Sequence, residues 1–215
     1  MLRVLVFDVT TAAISVGKYI EKELMVEVKK VMGDDCYSVE DVAKEISSYM
    51  GRVDVVVLAG PLLAAKCGQY LEKRFPAQKF IFFGADLPKV VAENGKVLIL
   101  TPKSLRATDY YQRQKARCQE QEIEELDCER WLEIMRDCNL RRSNMIANEM
   151  KGRIGAKLIV NCSELMAMYD ELEKVIDWRM NLVDLRKGIV VELKKYQEMK
   201  EETNGQILIS QNVRY

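Results

Sequence analysis

Short runs of branched and aromatic apolar residues alternate with stretches of helical periodicity along nearly the whole chain. That alternation of strand and helix periods is the mark of βα units wound around parallel sheets. The strong strand candidates are Leu2–Val9, Val53–Gly60, Lys79–Gly84, Lys96–Thr101 and Lys157–Cys162. Their near-continuous Val, Ile, Leu and Phe content suits strands covered on both faces. Weaker candidates are Met25–Val31, Gln121–Leu126, Met180–Leu185 and Gln206–Ser210. Amphipathic helices are expected over Ser38–Tyr49, with Ser38 and Asp41 placed to cap its start, and over Pro61–Phe75, Leu105–Gln119, Cys128–Asp137, Leu140–Ile154, Ser163–Ile176 and Lys187–Glu201. The four prolines fall at or between these elements.

The residue inventory then narrows the chemistry. There is no histidine among the 215 residues. Its absence removes the Ser-His-Asp triad, the Cys-His dyad and every histidine-based zinc site. The six cysteines include no CxxC pair, so a thiolate zinc site and a disulfide framework are both disfavoured. Proton chemistry is left to Cys, Asp, Glu, Lys or Tyr. Lys plus Arg and Asp plus Glu each number 33, a balance that gives no footprint for nucleic acid or for an anionic membrane. No apolar run is long enough to span a bilayer, and Met1-Leu2-Arg3-Val4 leads straight into a strand without a cleavage site. The expected location is the cytoplasm. No GxGxxG or Walker A pattern is present, so nucleotide binding has no support and no cofactor is expected.

Three strand ends repeat one pattern: an apolar strand, a short polar or small turn, then a helix. They are Phe7-Asp8-Val9-Thr10-Thr11, Leu58-Ala59-Gly60-Pro61 and Val160-Asn161-Cys162-Ser163. Ligands of open α/β sheets sit beyond the carboxyl ends of strands, where the next helix presents free N–H groups to anions. A small carboxylate is the natural guest.

Taken in order, these segments resemble the aspartate/glutamate racemase family, and glutamate racemase most. Phe7 to Ala13 resembles the opening FDSGxGG, and Val53 to Leu62 the VDxxVIACNT strand, with Leu71 to Pro76 as its continuation. Thr101 to Gln112 (TPKSLRATDYYQ) is similar to TxATVRSGAYQ. Leu126-Asp127-Cys128 is similar to a strand ending in ACP, Leu158 to Glu164 to LVLGCTH, and Leu182-Val183-Asp184 to the late LIDS strand. The resemblance implies two Rossmann-like α/β lobes with parallel sheets, related by a pseudo-twofold, with a cleft between them. The order of the strand-turn-helix units, with those ending in Asp8 and Gly60 before the Thr101 segment and that ending in Cys162 after it, places residues 1–96 plus 202–215 in the first lobe and 97–201 in the second, the tail strand Gln206–Ser210 returning to the first. The resemblance also implies a small amino-acid or carboxylate ligand, and homodimerisation.

In that family two thiols on opposite faces of the substrate α-carbon exchange its proton. Here the second is kept as Cys162, whereas the first falls at Gly60, followed by Pro61 and Leu62 in place of Asn and Thr. Glu164 stands where the family has histidine, and Arg136 where it has glutamate. The usable remnant is Cys162 and Asp8 as catalytic groups, with Thr10, Thr11, Gly60, Thr101, Ser104 and Ser163 around the ligand. Cys162 reads either as a thiol activated at a helix N-terminus, opposed by the charge of Glu164, or as an idle buried thiol. Asp8 either serves the site or caps the following helix; Thr101 and Ser104 either bind a carboxylate or cap the helix from Leu105. Cys67, two helical turns beyond Gly60, lies too far along the axis to replace the missing thiol and is expected to pack as a small apolar residue. The ten-residue spacing of Cys118, Cys128 and Cys138 defines no shared face, and Glu120–Asp127 and Arg141-Arg142 read as solvated surface. Three functions follow: a single-thiol enzyme on, or binder of, a small amino or dicarboxylic acid; a non-catalytic sensor or partner subunit; or an amino-acid racemase with a substitute acid at the Gly60 side.

Overall fold

The computed structural model describes every residue except 34–37, 86, 95, 119–121, 137–141, 151–152, 154–156, 177–180 and 213–215. Cys138 and Arg141 lie outside the described residues, as do the expected element ends at Gln119, Gln121, Asp137, Leu140, Ile154 and Met180.

Among the described residues, eight strands form two four-stranded parallel sheets. In the first, β1 (Arg3–Asp8) lies between β2 (Glu27–Met32) and β3 (Val55–Leu58), and β4 (Lys79–Phe82) closes the far side. The second repeats the order: β5 (Val97–Thr101) lies between β6 (Ile123–Asp127) and β7 (Lys157–Val160), with β8 (Asn181–Val183) beyond. The central strands are buried along almost their whole length because helices cover both faces. The edge strands β2 and β6 are only half-buried and carry charged residues, which suits strands with one unpaired side.

The connecting helices are α1 (Ala12–Glu23), α2 (Val39–Ser47), α3 (Pro61–Arg74) and α4 (Leu87–Asn94) in the first half of the chain. The second half has α5 (Lys103–Arg106), α6 (Asp109–Ala116), α7 (Cys128–Arg136), α8 (Arg142–Glu149), α9 (Ser163–Ala167), α10 (Tyr169–Ile176) and α11 (Arg186–Asn212). α2 starts on a capping box: Asp41 N–H donates to Ser38 Oγ (3.1 Å) and Ser38 N–H to Asp41 Oδ2 (3.0 Å). Pro61 opens α3 at a position where its missing N–H is no loss.

Three expectations are corrected. Gln206–Ser210 is not a strand but part of α11, so no tail strand joins the first sheet. The helix expected over Leu105–Gln119 is broken into α5 and α6, because the Thr108 hydroxyl accepts from Tyr111 N–H and starts a new helix. That over Ser163–Ile176 divides at Met168 into α9 and α10. Neither α1, which follows the Asp8 strand end, nor α4 has a counterpart among the helix ranges expected.

The first sheet's inner face, the second sheet and the helices between them share one continuous apolar cluster, in which α1, with Ala12, Ala13 and Val16, packs against α9, with Leu165 and Met166. A second cluster, around Phe7, Ile46, Leu58 and Leu71, fills the outer face of the first sheet. No helix among the described residues is long and apolar enough to cross a membrane.

Candidate active site

The repeated strand order puts corresponding residues at corresponding ends. Asp8 ends β1 as Thr101 ends β5, and Gly60 lies two residues beyond β3 as Cys162 lies two beyond β7. All four sit at or just beyond carboxyl ends of strands, and Asp8 and Gly60 there meet Ser163 of the other lobe.

Asp8 is 1% exposed. Its Oδ1 accepts from Val9 N–H (2.8 Å) and its Oδ2 from the Thr10 hydroxyl (2.8 Å), which in turn accepts from Ala12 N–H (3.2 Å). Asp8 therefore does not cap α1 directly; Thr10 does so in its place, and the exposed Thr11 makes no capping bond. Burial pushes the Asp8 carboxyl up to about 6, and the nearby charge of Glu164 adds to this against the hydrogen bonds from Thr10, Val9 and Ser163.

Gly60 explains where that carboxylate has gone. A Cβ on Gly60 would lie 2.6 Å from Asp8 Oδ1, 2.8 Å from Asp8 Oδ2 and 2.6 Å from Ser163 Oγ. Two polar side chains, one from each lobe, thus fill the volume a side chain at position 60 would need. The absence of a side chain at Gly60 and the placing of the Asp8 carboxylate are two views of one packing arrangement.

Cys162 is fully buried, and its Sγ donates to Glu164 Oε2 at 3.2 Å. The Cys128 thiol beside it and burial hold the Cys162 thiol far above its usual range, and the N–H of Leu165 at the start of α9 offsets only part of this. The thiolate that a helix N-terminus favours is outweighed here by a second thiol and by loss of solvent. Cys128, whose ten-residue spacing in sequence carries no meaning, is therefore in contact with the strand-end cysteine. Thr101 is also fully buried, and its Oγ1 has no hydrogen-bond partner among the described residues; α5 is capped by neither Thr101 nor Ser104.

A cavity of about 320 Å³ opens on this seam. Asp8, Thr10, Ser104 and Ser163 line it, whereas Gly60, Thr101, Cys162 and Thr11 do not. Sequence reasoning missed three polar contributors to its wall: Ser38 at the start of α2, Lys66 on α3 and Glu164 on α9. The visible signal for Lys66 was a lone charge within the apolar run Pro61–Gly68; nothing in the sequence tied Ser38 to the site. Cys67 is buried in the core and also touches the cavity. A larger opening of about 590 Å³ lies between α3 and α6 and holds none of the residues singled out from sequence.

Comparison with known proteins places this arrangement. No protein-family model and no curated protein matches the sequence. Among solved structures, glutamate racemase of Francisella tularensis in complex with D-glutamate aligns with a TM-score of 0.67 at 12% identity, covering 93% of this chain and 82% of that one. Escherichia coli glutamate racemase, in complex with L-glutamate and the activator UDP-MurNAc-Ala, aligns at 0.66 and 17% identity, covering 90% and 81%. The chain has the aspartate/glutamate racemase fold. Allantoin racemase of Klebsiella pneumoniae, at 0.63 and 13% identity over 93% and 89%, has it too, so the fold is shared by proteins named for different substrates. Within this fold the two corresponding strand ends carry glycine on one side and a buried thiol on the other.

Proposed function

We propose that the inter-lobe cavity binds a small amino or dicarboxylic acid, and that the protein exchanges its α-proton from one face, with Asp8 as the acid/base and without a cofactor. The observation that carries this reading is the Asp8 carboxyl, held in the volume of the missing side chain at position 60 and pushed up to about 6. A general base works best with a pKa near the operating pH. Inversion needs a second acid on the opposite face. Cys162 is ill suited to that role, because it does not line the cavity and its thiol is held strongly protonated. The expected outcome is exchange without inversion.

The burial of Cys162 also favours a second reading, a racemase-like protein that binds the same ligand class and turns nothing over. Incubation with a panel of amino and dicarboxylic acids in D₂O separates the two. Proton NMR should show loss of the α-proton signal while circular dichroism of the same sample holds its ellipticity. The Asp8→Asn variant should lose about 10²–10⁴-fold of that rate. Binding without exchange would favour the non-catalytic reading, and rapid loss of ellipticity would show a working acid on the Cys162 side.

A further inference from the structure

The cavity wall is electrically uneven. At the end where the lobes meet it holds two carboxyl groups, Asp8 and Glu164, and further along α3 it holds one cation, Lys66. Two carboxyl groups repel an anionic ligand and suit an ammonium group. A ligand that carries carboxylates as well needs a cation within reach, and Lys66 is the one basic side chain among the residues lining this cavity. Lys66 has no ion-pair or hydrogen-bond partner among the described residues, although many other lysines and arginines of this chain are paired with carboxylates, including Lys30 with Glu21 and Lys200 with Asp54. The Ser38 and Ser104 hydroxyls line the same cavity and can share a carboxylate.

Spacing says which carboxylate. Lys66 follows Gly60 by six residues, about 9 Å along the helix axis, and its side chain leans back toward the start of α3. It therefore reaches a group several bonds removed from an atom lying against Asp8. Apart from the Thr10 and Ser163 hydroxyls near Asp8, the rest of the wall, Val39, Val42, Pro61 and Leu63 among it, is apolar and suits a methylene chain between the two ends.

Building on the proposed amino-acid site, we propose that Lys66 binds the distal carboxylate of the ligand and so selects dicarboxylic over monocarboxylic amino acids. Lys66 is exposed on α3, so its replacement leaves the core untouched. Isothermal titration calorimetry of the native protein, Lys66→Met and Lys66→Arg should use aspartate, glutamate and 2-aminoadipate of both hands, with asparagine, glutamine and norvaline as neutral counterparts. The native protein should bind its best dicarboxylic acid about tenfold or more tightly than the matching amide, as one charge-assisted contact allows. Lys66→Met should erase that preference and leave amide affinity within about twofold, and Lys66→Arg should restore it in part. A preference that survives in Lys66→Met, or no preference in the native protein, overturns the role of Lys66 while leaving the amino-acid site standing. Failure of the native protein to bind any member of the panel overturns both.

Discussion

Asp8 carries its charge at a cost to the fold. Its folded pKa of about 6 stands above the ordinary 3.8, so the native state holds this proton more tightly than the unfolded chain. The resulting stabilisation is full below the ordinary pKa and is lost as pH rises through about 6, on the order of 3 kcal/mol over that window. Asp54 works in the opposite direction. Although burial acts to raise it, hydrogen bonds from Arg3 and Lys200 hold its carboxyl well below the usual range, so its contribution is lost on acidification. The test is accordingly a difference: thermal melts of native protein and Asp8→Asn across pH 4 to 7. The variant should lack the downward slope that the native protein shows between the two Asp8 values. Parallel curves would mean that Asp8 is not desolvated in solution as its position implies.

At the scale of elements, the two equivalent turns, β3 to α3 and β7 to α9, are filled differently. In the first, Gly60 has no side chain, and its space belongs to Asp8 and Ser163; in the second, Cys162 turns inward onto Cys128. Gly60→Ala forces apart two short, tethered polar side chains, so it should destabilise the fold by about 1–3 kcal/mol in chemical denaturation. Gly60→Cys should do the same and should fail to racemise L-glutamate, read as unchanged ellipticity over hours, because the new thiol displaces the carboxylate it would sit beside. Full stability in Gly60→Ala would contradict the packing. The strands of both turns were legible because buried parallel strands are apolar without interruption, as in Val55–Leu58 and Lys157–Val160. Even the weak β2, β6 and β8 showed in outline. Gln206–Ser210 misled because a short apolar run has no period of its own, and it continues a helix already under way from Arg186. Asp8 and Ser163 could be named from their strand ends. That they occupy the volume beside Gly60, and that Lys66, Ser38 and Glu164 join them, depends on how the lobes meet, which no local pattern encodes.

The lobes are held by more than the shared apolar cluster, and Arg186 is the clearest case. It opens α11 in the second lobe and is only 5% exposed. Its guanidinium lies between the rings of Tyr19, on α1 of the first lobe, and Tyr169, on α10 of the second, at 4.4 and 4.0 Å from their centroids. Asp184 accepts from Nε (3.0 Å) and Nη2 (2.9 Å) in a fork, and Ser15 on α1 accepts from Nη1 at 3.4 Å. One planar cation thus joins a carboxylate of its own lobe to a ring and a hydroxyl of the other, a geometry that lysine cannot reproduce. Further along α11, Lys200 donates to Asp54 of the first lobe at 2.5 Å, so the helix ties back across the seam a second time. That second tie is solvent-exposed and contributes little, about 0–1 kcal/mol at most. Arg186→Ala leaves half-buried Asp184 without its side-chain partner and removes the stacked cation, and should cost up to about 3 kcal/mol, the low end for a broken buried pair. Arg186→Lys should recover less than half of this, since it supplies the charge but neither the fork nor the stacking. Because the lost contacts bridge α1 to α10 and α11, the variant should also loosen the seam that shapes the ligand cavity, so ligand affinity should fall together with the denaturation midpoint. Hydrogen exchange would locate the effect: faster exchange confined to α11 would mark a local staple, whereas faster exchange in α1 and α10 as well would mark Arg186 as the pin between the lobes, the outcome expected from its contacts on both sides.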